Sequence, residues 1–216
     1  MAKLVCAIVL LSALSLTQAA HKVKVSLYYE ALCGGCSYFI HSQLKPVYKE
    51  LKDHVQLDLV PFGNARFRKV GSKWQFMCQH GPEECYGNII HACALDSSPV
   101  EVALDFIACC EGQKFVTSDK TFQKCSKKAG LKFEDLKKCK ETKGDDLLAA
   151  YGKRSKPVGY PWVPFITIND KYDENVSMNA MYDLKSVLCE HLKDDPPKAC
   201  SKKTIDAVDE ISVCRA

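Results

Sequence analysis

Cysteine limits how this chain can fold more than any other residue does. The 216 residues hold 13 of them, and their positions divide them into separate jobs. Cys6 belongs to an N-terminal stretch of its own. Met1-Ala2-Lys3 is a short basic start, Leu4 to Leu16 is an apolar run, and Thr17-Gln18-Ala19-Ala20 ends it on small residues. That order is the pattern of a cleaved signal peptide over residues 1–19, with a cut after Ala20 fitting equally well. The run is too short to span a bilayer, and no later stretch approaches the ~20 apolar residues a span requires, so no transmembrane segment is expected. A chain on the secretory route meets oxidising conditions in which paired cysteines persist. Cys33 and Cys36 form a C-x-x-C pair. The other ten are Cys78, Cys85, Cys93, Cys109, Cys110, Cys125, Cys139, Cys189, Cys200 and Cys214. They permit five structural bridges, but ten cysteines allow on the order of a thousand pairings, so connectivity stays open.

The mature chain, residues 20–216, has the length of one well-cored domain with an insertion. Without Lys3 it carries 29 basic against 26 acidic residues, a formal charge of +3. So mild a balance sets up no strong field for nucleic acid or an anionic membrane, and no nucleic-acid partner is expected. The Lys-rich stretch from Lys120 to Lys143 reads as the solvated face of one or two helices rather than a binding patch.

Val23 to Tyr29 is β-branched and aromatic, which predicts a strand. After Cys36, apolar residues at Ile40, Leu44, Val47, Tyr48 and Leu51 follow helical spacing, so Ser37 to Asp53 is an expected helix. Pro46 inside it removes one donor and should kink it. Val55 to Val60 alternates as a second strand. From about Arg66 to Arg154 strand signals stop, and helix-like patches lie at Asn88–Leu95, Val100–Cys110, Phe133–Lys140 and Asp145–Tyr151. This predicts a mostly helical, disulfide-held insertion over about 66–155. Val163 to Asn169 gives a third strand, Asn169-Asp170 a turn into a short strand near Tyr172, and Ser177 to Leu192 a closing helix capped by Ser177.

The pair Cys33-Gly34-Gly35-Cys36 thus sits where a strand meets a helix. A helix N-terminus presents unpaired N–H groups and the positive end of its dipole, which favour a thiolate there. Cys33, at the exposed end, is the expected nucleophile, and Cys36, one turn in and more buried, the resolving thiol. The competing readings are a further structural bridge or half of a zinc site. A bridge over two residues closes too short a loop to constrain the unfolded chain much. A zinc site needs a second matching pair that is absent, so no metal is expected. The demand on the site is steep. A thiol of pKa ~8.5 is only about 0.03% thiolate at pH 5, and half ionisation there needs ~5 kcal/mol, more than the ~2 kcal/mol a helix end supplies.

In a thioredoxin-like layout, Pro164 opening the third strand would lie beside the reactive pair. A cis Val163–Pro164 bond is expected there, leaving the Val163 backbone to pair with a substrate chain.

One segment resembles a known family closely. Cys78-Gln79-His80-Gly81, Glu84-Cys85, Asn88 and Cys93 match throughout the C-Q-H-G, two residues, E-C, two residues, N, four residues, C signature of the gamma-interferon-inducible lysosomal thiol reductase family. Leu59 to Ala65, Trp74, the Val163-Pro164 strand and the pair Cys189 and Cys200 are similar too. The resemblance implies an α/β, thioredoxin-like fold with a disulfide-rich helical insertion, and reduction of disulfides in protein substrates through Cys33 and Cys36. It also implies no cofactor beyond a small-molecule thiol as electron donor. His80 and His91 are candidate acid–base groups, though hydrogen-bonded histidines of a disulfide-rich elbow are the preferred reading. Cys110 and Cys214 stand outside the family pattern, which raises the expectation of a Cys110–Cys214 bridge. A single glycosylation sequon, Asn175-Val176-Ser177, leaves secretion and the lysosome both open. The alternative function is that of a secreted thioredoxin-fold binding protein acting by interaction, for instance in immune defence. A lipid-binding helical disulfide module is opposed by the three strands.

Overall fold

The computed structural model describes residues 22–201 and the backbone of Cys214–Arg215; the expected signal peptide and the Cys214 side chain lie outside the described residues. Strand β1 (Val23–Tyr29) sets Val23, Val25, Leu27 and Tyr29 on one face and is buried along almost its whole length, which suits the centre of a sheet. It pairs parallel with β2 (Val55–Pro61), Val23 opposite Val55 and Tyr29 opposite Pro61. On its other side it pairs antiparallel with β6 (Phe165–Ile168), Leu27 opposite Ile166. The sheet order is therefore β2-β1-β6.

Between β1 and β2 runs the predicted helix, interrupted as Pro46 requires. Helix α1 (Gly34–Phe39) passes through a π turn, Ile40–Leu44, into α2 (Lys45–Leu51). Pro46 has no N–H to give the Ser42 carbonyl, and just ahead of it the ladder shifts register, Lys45 N bonding Ile40 O across the wider turn.

The expected insertion differs at its start. Arg66–Val70 and Lys73–Met77 form a hairpin, β3 and β4, with Val70 opposite Lys73. Phe67 packs against Phe62 and Trp74, ring centroids 5.5 and 5.7 Å apart, and Trp74 Nε1 donates to Asp146 at 2.7 Å. Helices follow: α3 (Pro82–Ser97), α4 (Val100–Glu111), α5 (Asp119–Ala129), α6 (Phe133–Cys139) and α7 (Asp145–Ser155). Helices α5 and α6 carry the Lys-rich face outward over Phe122, Cys125, Phe133 and Leu136, which are buried. Strand and helical parts share one hydrophobic cluster, from Val23 and Phe39 through Phe106 and Phe122 to Leu188. The insertion is thus packed as part of the same domain.

The third strand is split at Pro164 into β5 (Trp162–Val163) and β6. Asn169 and Asp170 turn with φ of 51° and 60°, a conformation their short polar side chains tolerate. Beyond it only an isolated Ile168–Lys171 bridge forms, in place of the expected strand near Tyr172. Helix α8 (Glu174–His191) starts earlier than predicted. Its cap is Asp173, whose Oδ1 accepts from Val176 N at 3.0 Å, and Ser177 is buried inside the first turn. Finally, β7 (Cys214–Arg215) pairs antiparallel with β5, Val163 opposite Cys214.

Four bridges hold the described residues: Cys78–Cys85, Cys93–Cys139, Cys109–Cys125 and Cys189–Cys200. Cys110 is a free thiol, which overturns the expected Cys110–Cys214 bridge. It is wholly buried on the inner side of α4, whereas the backbone of Cys214 lies on the edge strand β5.

Candidate redox site

Cys33 is the N-cap of α1, with φ −83° and ψ 115°, and its carbonyl accepts the first helical bond, from Ser37 N at 3.0 Å. Its Sγ lies 3.7 Å from Val163 O, and the Val163–Pro164 bond is cis. The predicted residues Cys33, Cys36, Val163 and Pro164 therefore come together at one end of the sheet. Two features differ from expectation. Cys33 is fully buried, with β7 laid along the neighbouring β5, rather than exposed. It is also in a disulfide, while Cys36 is a free, fully buried thiol.

Burial pushes the Cys36 thiol well above its ordinary pKa, with Glu111, Glu30 and Glu84 adding to the shift against a backbone hydrogen bond at Glu30. These three carboxyl groups are themselves buried; of the three, only Glu84, in the Glu84-Cys85 step of the signature, belongs to a pattern in the sequence. Glu111 ends α4; Ser37 Oγ donates to its carbonyl at 2.9 Å, and burial, then Glu84, drives its carboxyl well upward. Glu30 immediately precedes the loop into the motif. Its Oε1 accepts from Asn64 N at 2.5 Å, and burial followed by the Glu84 charge raises its pKa to about 7.

His80 joins this group. Its backbone N–H donates to Glu84 Oε1 at 3.1 Å, its ring Nδ1 meets Glu84 Oε2, and Glu30 Oε2 lies 3.7 Å away. The three side chains hold their ligand atoms within 4.8 Å of one another, a set that could take a proton or a divalent cation. His91 is different: wholly enclosed, it stacks on Tyr29 and meets the Tyr29 hydroxyl at 3.3 Å. Burial lowers its pKa to about 3, so it stays neutral. It is a core histidine, as the preferred reading held.

The signature segment is a platform beneath the reactive loop. Cys78–Cys85 closes the elbow, Gly81 makes its corner at φ 90°, a conformation open to glycine, and Pro82 starts α3. Along α3, a Cβ on Gly87 would stand 2.7 Å from Ala31 Cβ, and Asn88 Oδ1 accepts from Ala31 N at 2.9 Å. Asn175 is exposed in the first turn of α8. An open pocket of about 500 Å³ between the 62–67 segment and the end of α7 is lined by Phe62, Gly63, Phe67, Gly152 and Tyr160.

A helix-fronted C-x-x-C pair beside a sheet edge defines a thioredoxin-like protein, and solved structures agree. Oxidised BdbD from Bacillus subtilis superposes with a TM-score of 0.57, at 16% identity, over 81% of this chain and 91% of its own. DsbA from Chlamydia trachomatis gives 0.51, at 14% identity, over 81% and 88%. Residues 24–129 match the family described as gamma interferon inducible lysosomal thiol reductase. GILT-like protein 1 of Drosophila melanogaster is 36% identical over 85% of this chain and 80% of its own length. The gamma-interferon-inducible lysosomal thiol reductases of Carassius auratus and Mus musculus are 35% and 32% identical, over 74% and 77% of their lengths and 85% and 83% of this chain. The chain belongs to the GILT family.

Proposed function

We propose that this chain reduces disulfide bonds in protein substrates, with Cys33 as nucleophile and Cys36 as resolving thiol. The observation that carries the reading is the position of Cys33, capping α1 with its sulfur 3.7 Å from the Val163 carbonyl. In the reduced chain the Cys33 thiolate attacks one sulfur of a substrate disulfide, and the other sulfur leaves as a thiolate. Cys36 then gives up its proton and attacks Cys33 Sγ, releasing the second substrate sulfur and leaving a Cys33–Cys36 disulfide. A small-molecule thiol restores the dithiol. The Val163-Pro164 edge offers backbone groups to an extended substrate segment.

The family name and the paired cysteines favour an acidic endosomal or lysosomal setting, or an extracellular one, for this reaction. The exposed Asn175 is the glycan acceptor. No helix among the described residues is long and apolar enough to cross a membrane. The test is insulin reduction with a small-thiol donor at pH 4.5 and 7. Cys33→Ser should fall below about 1% of wild type, as loss of a nucleophile does, and activity surviving in that variant removes the mechanism.

A further inference from the structure

Glu30, His80 and Glu84 take no part in the exchange at Cys33, yet their side chains meet at one point of the elbow. Glu30 and Glu84 are fully buried, and the His80 side chain is 35% exposed. Each carboxyl group has one oxygen tied to the backbone and the other turned to the histidine. Glu30 Oε1 accepts from Asn64 N at 2.5 Å, and Glu84 Oε1 accepts from His80 N at 3.1 Å. Glu84 Oε2 touches His80 Nδ1, and Glu30 Oε2 lies 3.7 Å from the same nitrogen. A second observation is independent of this clustering: Glu30 Oε2 is enclosed and has no hydrogen-bond partner among the described residues. A buried polar oxygen left bare is costly. This one faces a ring nitrogen and a second carboxyl oxygen, which is the setting of a metal ligand.

We propose that Glu30, His80 and Glu84 bind one divalent cation of the zinc class, which staples the end of β1 to the Cys78–Cys85 elbow. The three ligand atoms lie within 4.8 Å of one another. Bonds of ~2.0–2.2 Å to nitrogen and oxygen set the ligands of a tetrahedral ion roughly 3–4 Å apart, and the 3.7 Å between His80 Nδ1 and Glu30 Oε2 already falls in that range. Two carboxylates cancel the charge of the ion, so the buried group is neutral as a whole. In the metal-free chain a proton takes the place of the ion. An imidazole nitrogen among the ligands selects zinc over magnesium and calcium, which take all-oxygen shells. Three protein ligands leave a fourth position for water, on the side where His80 is exposed. The outer shell is built as well: the Asn64 and His80 backbone N–H groups aim the two carboxylates, as partners of metal ligands do. The frame is stiff. The Cys78–Cys85 bridge encloses His80 and Glu84, and a Cβ on Gly63 would stand 1.9 Å from Glu30 Cγ, so the turn backbone presses on the Glu30 side chain. The expectation of no metal rests on the lack of a second cysteine pair, and this site uses no sulfur.

The experiment uses the full chain, kept oxidised so that its disulfides stay closed, stripped with a chelator and dialysed at pH 7 against micromolar zinc chloride. Wild type should take up one zinc ion per chain. X-ray absorption at the zinc edge should show nitrogen and oxygen neighbours at ~2.0–2.2 Å, with the scattering pattern of one imidazole. His80→Gln and Glu30→Gln each remove a ligand and should bind at least about a hundredfold more weakly, since loss of an outer-shell partner alone costs roughly 10–100-fold. Zinc should raise the melting temperature of wild type and of neither variant, and magnesium at the same concentration should raise none. No uptake by wild type, equal uptake by wild type and both variants, or sulfur neighbours in the absorption spectrum each overturns the proposal. The spectrum is taken on wild type, so it decides the matter even where a variant does not fold. Insulin reduction through Cys33 is a separate measurement, and its failure would leave the zinc result untouched.

Discussion

Asn88 Oδ1 accepts a 2.9 Å hydrogen bond from the backbone N–H of Ala31, 57 residues away and fully buried. The bond ties the loop that delivers Cys33 to the middle of α3. Replacing Asn88 by Ala leaves that amide buried without a partner, which costs about 1–3 kcal/mol. Urea unfolding should report the loss, and hydrogen exchange should show the Ala31 amide opening ahead of its neighbours. Unchanged protection at Ala31 would count against the tie.

Gly87→Ala tests the same junction by crowding. In an open helix the change would stabilise by ~1 kcal/mol. Here the new methyl meets Thr117 Cγ2 at 2.6 Å and Ala31 Cβ at 2.7 Å, and overpacking of that kind costs about 1–3 kcal/mol. A net loss of stability is expected by thermal unfolding, together with slower insulin reduction as the Cys33 loop is pushed. A gain in stability would show that the contact relaxes freely.

The structural bridges should differ in what they contribute. Cys93–Cys139 spans 46 residues and Cys78–Cys85 only 7. Chain-entropy arithmetic gives roughly 4 kcal/mol for the long loop and roughly 2 kcal/mol for the short one. Paired Cys→Ala variants compared by denaturant unfolding should fall in that order, and the reverse order would point to strain or residual structure.

Acid should act on this fold through two opposed groups. Glu30 is raised to about 7 by burial and by Glu84, so between pH 4.5 and 7 the unfolded chain sheds a proton that the folded chain keeps. Its effect is stability that falls as pH rises, on the order of 2–3 kcal/mol across that window. His91, lowered to about 3 by burial, is protonated only in the unfolded chain between pH 3 and 6.5. Its effect is stability that falls as pH falls. The two offset one another near pH 5. Glu30→Gln leaves only the His91 effect, so its stability should drop more steeply than wild type from pH 6.5 to 4.5. Parallel curves for the two proteins would rule out the Glu30 assignment.

The proposed division of labour predicts what Cys36→Ala will do with real substrates. Mixed disulfides through Cys33 should accumulate and survive acid quenching, because the thiol that releases them is gone. Cys33→Ala should trap none, and trapping through Cys110 instead would assign the nucleophile wrongly.

Much of this could be read from the chain before any coordinates. The strand at Val23–Tyr29 and the helix behind Cys33 are plain because apolar spacing carries local information, whereas the expected Val163–Asn169 strand is split in two at Pro164. The β3–β4 hairpin was missed although Phe67, Trp74 and Phe76 alternate around Gly71. Its strands are short and largely exposed, and arginine and lysine fill the positions where a buried strand would show Val or Ile. The burial of the Glu30, Glu84 and Glu111 carboxyl groups was invisible for another reason. A glutamate looks the same in sequence whether solvated or enclosed, and only the packing of α3 and α4 around the site encloses these. The state of Cys33 was misjudged because exposure at a helix start is a local inference, while the strand paired beside it comes from the far end of the chain.

The segment from Cys78 to Cys93 resolves into a closed elbow, a glycine corner, the His80–Glu84 contact beside Glu30, a glycine pressed on Ala31, an amide tie and a core histidine. These are all supports, and none of them is a reacting atom in the proposed reaction. A descendant that lost Cys33 or Cys36 would still need every one of them to fold. The motif that identifies the family is therefore a record of ancestry and architecture.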